Sequence, residues 1–345
     1  MATMSSILSK SPRLVLFFAL LAAPVHAPYA GENAQSDATT SDDSHDHEPI
    51  RGLIRRINPL RAVGVDSDFS VTHGLQFTDK ERDIALHLGG RVFLDTVRYF
   101  EDRNSGLGES FGVRDARLEA EAAMGSDWSA RASFGVSIED SGSFALSLKS
   151  LYVRYLGFSP IELTLGQQDE PFSLEEMTSS RRVTFLERGL PNAFAPGTDF
   201  GFAVRTHGDN WSGAVGVFAG DLTSDVDQGQ GVSGRFVVSP TFEASGPLHL
   251  GGSISLRNTT SDDNVQFFQR PEVGLADFQY VDTGRIWGAD RLYRIGLEGA
   301  YLHGPYSIQG EFIQTWVGRQ GGFSDVRFDG FYLYGSWFLT GETRP

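Results

Sequence analysis

Gly166-Gln-Gln-Asp-Glu-Pro-Phe-Ser-Leu-Glu-Glu-Met-Thr-Ser-Ser-Arg-Arg-Val-Thr-Phe-Leu-Glu-Arg-Gly-Leu-Pro191 interrupts an otherwise regular alternation of apolar and polar residues. It lies among short alternating segments separated by Gly, Asp and Asn, yet it is too long and too polar for a hairpin turn. Long connections of this kind are functional or disordered. Apolar residues return at Leu174, Met177, Val183, Phe185 and Leu186, which predicts a loop that packs against something. Pro171, Pro191 and Pro196 punctuate it. In a barrel of alternating strands the place to pack is the lumen, where such a loop narrows a pore. The alternative is a long loop on the outer surface.

Working outward, the flanking chain has a period of two. Ile84, Leu86, Leu88, Val92 and Leu94 share one face of a segment whose other face carries Arg91 and Asp95. Ala116, Leu118, Ala120 and Ala122 oppose Asp115, Arg117, Glu119 and Glu121. Ala130, Ala132, Phe134, Val136 and Ile138 oppose Arg131, Ser133, Ser137 and Glu139, and Leu151, Val153 and Tyr155 oppose Ser150, Tyr152 and Arg154. Beyond the long loop, strands are expected at 200–205, 211–219, 232–238, 248–256, 292–301, 307–316 and 328–339. A soluble sandwich also alternates. Charges spaced along the whole polar face point instead to a transmembrane barrel, apolar toward lipid and polar toward a lumen. Trp128, Tyr152, Tyr155, Phe158, Trp211, Tyr301, Tyr306 and Trp337 fall near strand ends, where interfacial aromatic girdles form. Connections 125–127 and 157–160 read as short periplasmic turns, and 221–229 and 259–277 as external polar loops.

Several pieces, in order, resemble the phosphate-selective porin O and P family. They are the constriction-loop signature Gly-Gln-Gln-Asp-Glu-Pro-Phe-Ser-Leu-Glu-Glu-Met-Thr-Ser-Ser followed by Phe-Leu-Glu-Arg, and Leu86 to Asp95. Arg114-Asp-Ala-Arg-Leu118, Leu151-Tyr-Val-Arg-Tyr155 and Trp337-Phe-Leu-Thr-Gly-Glu342 complete the set. The resemblance runs from about residue 63 to the end of the chain. It implies an all-β antiparallel outer-membrane barrel, a homotrimer, with an inward-folded loop and a basic path for small anions or other small hydrophilic solutes. Two positions depart from the family pattern: Asp169 stands where it carries a lysine, and Asp115 where it carries the second of two arginines. The family also continues past Glu342, so the expectation is a fragment or truncated product.

The ends of the chain give its address. Lys10 and Arg13 precede the apolar run 14–23, which is the pattern of a secretory signal over residues 1–30 and too short for a membrane helix. Residues 31–62 read as a disordered periplasmic linker, with a basic amphipathic turn or two near Arg55. The barrel is expected over 63–345. With 29 Lys+Arg against 44 Asp+Glu, the net charge of -15 argues against nucleic-acid binding. The absence of cysteine removes thiol chemistry and disulfides.

No catalytic constellation emerges. Gly108-Glu-Ser-Phe-Gly112 matches a nucleophile elbow in letters only, because no strand-to-helix turn surrounds it. Gly229-Gln-Gly-Val-Ser-Gly234 lacks the βαβ context of a dinucleotide fingerprint. His45 and His47 sit in an acidic linker and make a poor metal site. The reading is therefore a passive pore, needing no cofactor or metal, that works by radius and by charged rings. Asp169, Glu170, Arg181, Arg182 and Arg188 are the constriction candidates. Arg91, Asp115, Arg117, Arg131, Arg154, Arg205 and Arg235 are the wall candidates, each arginine either guiding ions or bridging to an acid such as Asp95, Glu119 or Glu139. An outer-membrane barrel enzyme or anchor, or a soluble secreted β-sandwich binding protein, are the alternatives. Failure to conduct would favour the first, and recovery without detergent the second.

Overall fold

Alternating apolar and polar residues shape almost the whole molecule. The structure, a computed structural model, describes residues 15–18, 65–70, 74–100, 109–138, 144–223, 229–242, 246–259, 264–276 and 278–344. The linker 31–62, its amphipathic turn and Glu139 lie outside the described residues, as does the signal region apart from 15–18. The strands begin with β1 (Val15–Phe18), β2 (Val65–Ser70), β3 (Gly74–Asp79), β4 (Ile84–Tyr99), β5 (Ser110–Met124) and β6 (Trp128–Ile138). They continue with β7 (Phe144–Phe158), β8 (Ile161–Asp169), β9 (Thr198–His207), β10 (Trp211–Phe218), β11 (Gln230–Val238), β12 (Thr241–Phe242) and β13 (Gly246–Asn258). Four two-residue strands follow: β14 (Asn264–Val265), β15 (Phe268–Gln269), β16 (Val281–Asp282) and β17 (Ile286–Trp287). The last three are β18 (Ala289–His303), β19 (Tyr306–Arg319) and β20 (Val326–Trp337).

Sixteen strands form one sheet, whose path runs β2 to β11 in sequence order and then β13, β18, β19 and β20. Neighbours are antiparallel throughout, as short hairpin connections dictate. No described strand joins β20 to the β2 end, so the sheet is not closed. Its outward face is that of a membrane barrel: Val92, Leu94, Phe111, Val113, Leu118, Val215, Phe236, Ile254, Leu297, Phe331 and Leu333 are all exposed. In water such a surface would be a gross liability. Against lipid it is what an outer-membrane strand needs, with each interior strand of the sheet hydrogen-bonded to a neighbour on both sides.

Aromatic residues expected at the strand ends pack on one another, with one exception. Trp128 packs on Tyr155 at 4.7 Å, Tyr155 on Phe158 at 5.0 Å, and Tyr306 on Trp337 at 5.8 Å between ring centroids. Tyr152, however, belongs to the lumen. It lies on the parity of Arg154, whose guanidinium sits 5.4 Å from its ring, because successive residues of a strand face opposite ways.

Connection 259–288 also departs from expectation. It is longer than predicted and not a plain polar loop: β14 pairs with β17 and β15 with β16. Phe267 and Ile286 are buried against Leu292, Ile313 and Val317 of the wall, and Val273 and Ala276 pack with Val97 on β4. Its apolar residues are too scattered to read as strands, and burial across the lumen mouth organises them.

Candidate functional site

The stretch 170–197 is a folded insert between β8 and β9, and it crosses the interior of the sheet. On one side Arg114 of β5 donates to the Leu186 carbonyl at 2.5 Å, and Arg91 of β4 donates to Ser180 Oγ at 2.8 Å. On the other, Thr315 Oγ1 of β19 donates to the Phe194 carbonyl at 3.4 Å. A Cβ on Gly330 of β20 would stand 3.3 Å from Pro191, so the loop packs closely on this strand. The same loop thus touches strands at both ends of the sheet, which therefore curls around it. The loop is inward-folded.

Its seat in the lumen is apolar. Phe172 and Phe194 are buried with Phe267, Ile286, Ala289, Leu292, Ile313 and Val317. Gly296 makes room, since a Cβ there would meet the Phe172 ring at 3.3 Å. Of the apolar residues singled out from the sequence, Leu186 is buried at 5%, whereas Phe185 is 42% exposed. Phe172 and Phe194 are the anchors that periodicity missed, because Phe172 precedes the short helix and Phe194 ends a separate 3-10 turn, Leu190–Phe194.

Within the loop, α1 (Leu174–Met177) is a single turn capped by Ser173, whose Oγ accepts the Glu176 N–H at 3.1 Å. Arg188 closes the other end: Nε donates to the Glu175 carbonyl at 2.9 Å and Nη2 to the carbonyls of Glu176 and Thr178 at 3.0 and 3.2 Å. A cation on free helix carbonyls is favourable. Arg188, expected as a pore cation, is instead a clasp that shapes the loop. Glu175 accepts the Gly189 N–H at 2.8 Å, and Glu176 accepts from Asn192 Nδ2 at 2.8 Å. Burial raises the carboxyl pKa of Glu175, Glu176 and Glu187 above the usual range for glutamate.

At the root of the loop Glu170 is fully buried, accepting from Ser233 Oγ and Arg257. Arg257 also pairs with Asp199 on β9. Burial pushes the Glu170 carboxyl up, with the Arg257 guanidinium opposing. Glu170 is therefore a structural anchor rather than a charge offered to solutes. Asp169, one residue earlier, is exposed and accepts from Thr198 Oγ1 at 2.5 Å. Its charge acts on Glu176 and Arg205.

The wall arginines are largely neutralised. Arg91 pairs with Asp115 at 3.1 Å and Glu119 at 3.2 Å, and Arg117 with Asp115 at 3.0 Å. Arg131 pairs with Glu121 at 2.6 Å, Arg154 with Glu162 at 3.8 Å, and Arg235 with Glu298. In the loop Arg181 reaches Glu119 at 3.2 Å. Arg205 donates to Thr164 Oγ1 and Gln168 Oε1 at 2.9 and 2.8 Å, both neutral. Arg182 is exposed and makes no ion pair among the described residues. Strict alternation would turn Arg114 away from the lumen. The β4–β5 register shifts between Phe93 and Leu94, leaving Arg114 as an extra residue. Such a bulge turns two successive side chains to one side. Arg114 and Asp115 thus both reach the lumen, and Arg114 pairs with Asp95 at 2.8 Å.

With this geometry in place, comparisons with known proteins agree. The family described as phosphate-selective porin O and P matches residues 86–345. Porin O of Pseudomonas aeruginosa is 27% identical over 317 residues, covering 81% of this chain and 70% of that protein.

Proposed function

This chain belongs to the phosphate-selective porin O and P family, and from that premise we propose the finer properties of the channel. It is an outer-membrane porin of a barrel family, passing small solutes and anions by passive diffusion. We propose that its selectivity is weak, or leans toward cations. The observation that carries this is the pairing of Arg91, Arg117, Arg131, Arg154, Arg181 and Arg235 with carboxylates. An ion crossing such a wall meets dipoles rather than a net positive field. Asp169 adds an exposed negative charge at the loop's edge. The family resemblance supports assembly as a homotrimer, and the pattern at Lys10, Arg13 and the run 14–23 supports secretion through a cleaved signal over residues 1–30, followed by a linker to about residue 62. The channel acts without a cofactor and catalyses no reaction.

Planar-bilayer recording of the Asp169→Lys, Asp115→Arg double variant tests the selectivity reading. Two anions become cations beside an otherwise balanced wall, so the reversal potential in asymmetric KCl moves toward chloride. An unmoved potential contradicts the reading. Extraction of the folded chain from cell envelopes only with detergent tests the location.

A further inference from the structure

Among the lumen-facing carboxylates, Glu311 has an unusual set of partners. It lies on β19 and is 5% exposed. Among the described residues it makes no ion pair; Leu174 N–H and Glu175 N–H donate to its two oxygens at 3.2 and 3.4 Å, and Tyr332 OH donates at 3.3 Å. The two amides are the first of α1, a few residues into the constriction loop from its root. A buried carboxylate is costly without compensation. Here most of that compensation comes from the loop itself.

The loop in turn depends on this acceptor. Ser173, immediately before those amides, holds φ 62 and ψ 135, a conformation that a side chain-bearing residue adopts only when its surroundings impose it. Helix amides left without an acceptor are equally unfavourable. The other holds lie elsewhere: Glu170 with Arg257 at the root, and Arg114 and Arg91 at the β4–β5 side. Between them, Glu311 is the polar tether of the α1 turn to the far wall, beside the packing of Phe172 on Ile313 and its neighbours.

We infer that Glu311 is a positioning residue, which fixes α1 against β19 and so sets the radius of the pore. The inference rests on the channel reading. It predicts that losing the acceptor lets the α1 turn lift from the wall while the barrel and the loop's two ends stay in place. A lifted turn changes the channel in a way that a loss of barrel stability does not.

The test uses the full chain in planar bilayers, admitting only variants that give a heat-modifiable, protease-resistant band. Glu311→Ala should change single-channel conductance about twofold and add open-channel flicker, since radius governs flux. Glu311→Gln keeps an acceptor for only one of the two amides, its NH2 group facing a donor on the other side, and should fall between wild type and Glu311→Ala. If alanine fails to fold, Glu311→Asp, with a reach shorter by one methylene, carries the same expectation. The natural chain has no cysteine, so a single cysteine at Ser179 gives a second readout: bulky impermeant reagents should label it faster in the Glu311→Ala background. Folded Glu311→Ala channels with unaltered conductance, noise and labelling overturn the inference. A wild-type chain that does not conduct overturns the channel reading instead.

Discussion

Asp115 shows how little a residue's letter says about its field. At the sequence level it replaces a cation with an anion on the lumen side of the wall. In the fold it is shared between Arg91 and Arg117, at 3.1 and 3.0 Å. Its charge is therefore matched locally, and removing it frees two guanidiniums at once. Asp115→Asn should raise the anion-to-cation permeability ratio by about two- to threefold, measured by reversal potential. Glu119 behaves similarly as a hub, receiving Arg91, Arg181 and, at 3.6 Å, Arg131. By contrast Arg182 is exposed and has no acid within ion-pair distance among the described residues. Arg182→Glu should accordingly lower chloride permeability about as much as Asp115→Asn raises it. An inert Arg182→Glu would place that side chain outside the ion path.

The constriction loop is the element on which stability and permeation meet. Its root buries two carboxylates on one guanidinium: Glu170 and Asp199 on Arg257. Arg257→Met leaves both acids without their closest cation, a change that costs about 3–5 kcal/mol when a buried pair is broken. The temperature of heat modification should fall, with the barrel still forming at low temperature. The loop's titration has a definite sign. Burial raises the carboxyl pKa of Glu170, Glu175, Glu176 and Glu187. A folded pKa above the unfolded one stabilises the fold below the unfolded value, and that contribution is lost as pH rises through the folded value. Acidification through about 7, the folded value of Glu170, therefore seats the loop more firmly and strips negative charge from it. Reversal potentials should drift toward chloride across that window. A drift toward potassium would contradict the assignment.

Much of the whole molecule was legible in the sequence, because a membrane barrel writes its inside and outside alternately along every strand. The strands after the loop appear where the period of two placed them, from Thr198–His207 to Val326–Trp337. The loop was legible by its length and its match to a family signature. What was not legible depends on partners far away along the chain. Arg257, Arg294, Glu298 and Glu311 carry no local mark of function, yet they stand around the loop's seat. Arg114 was hidden for a different reason: a one-residue bulge reverses parity, and a strict alternation count cannot see it. Arg188 reads as a constriction cation from its charge and its place in the loop, whereas three backbone carbonyls hold its guanidinium.

At the scale of the whole molecule the central claim is that this wall carries its arginines in neutral company. Zero-current potential of the wild-type chain in asymmetric KCl, with phosphate added stepwise, measures that directly. A small potential, or one of the sign for potassium, is expected, with no block by phosphate at low concentration. A strong chloride potential with phosphate blocking at low concentration would contradict it, and would give Arg182 and Arg205 the selectivity that the paired arginines lack.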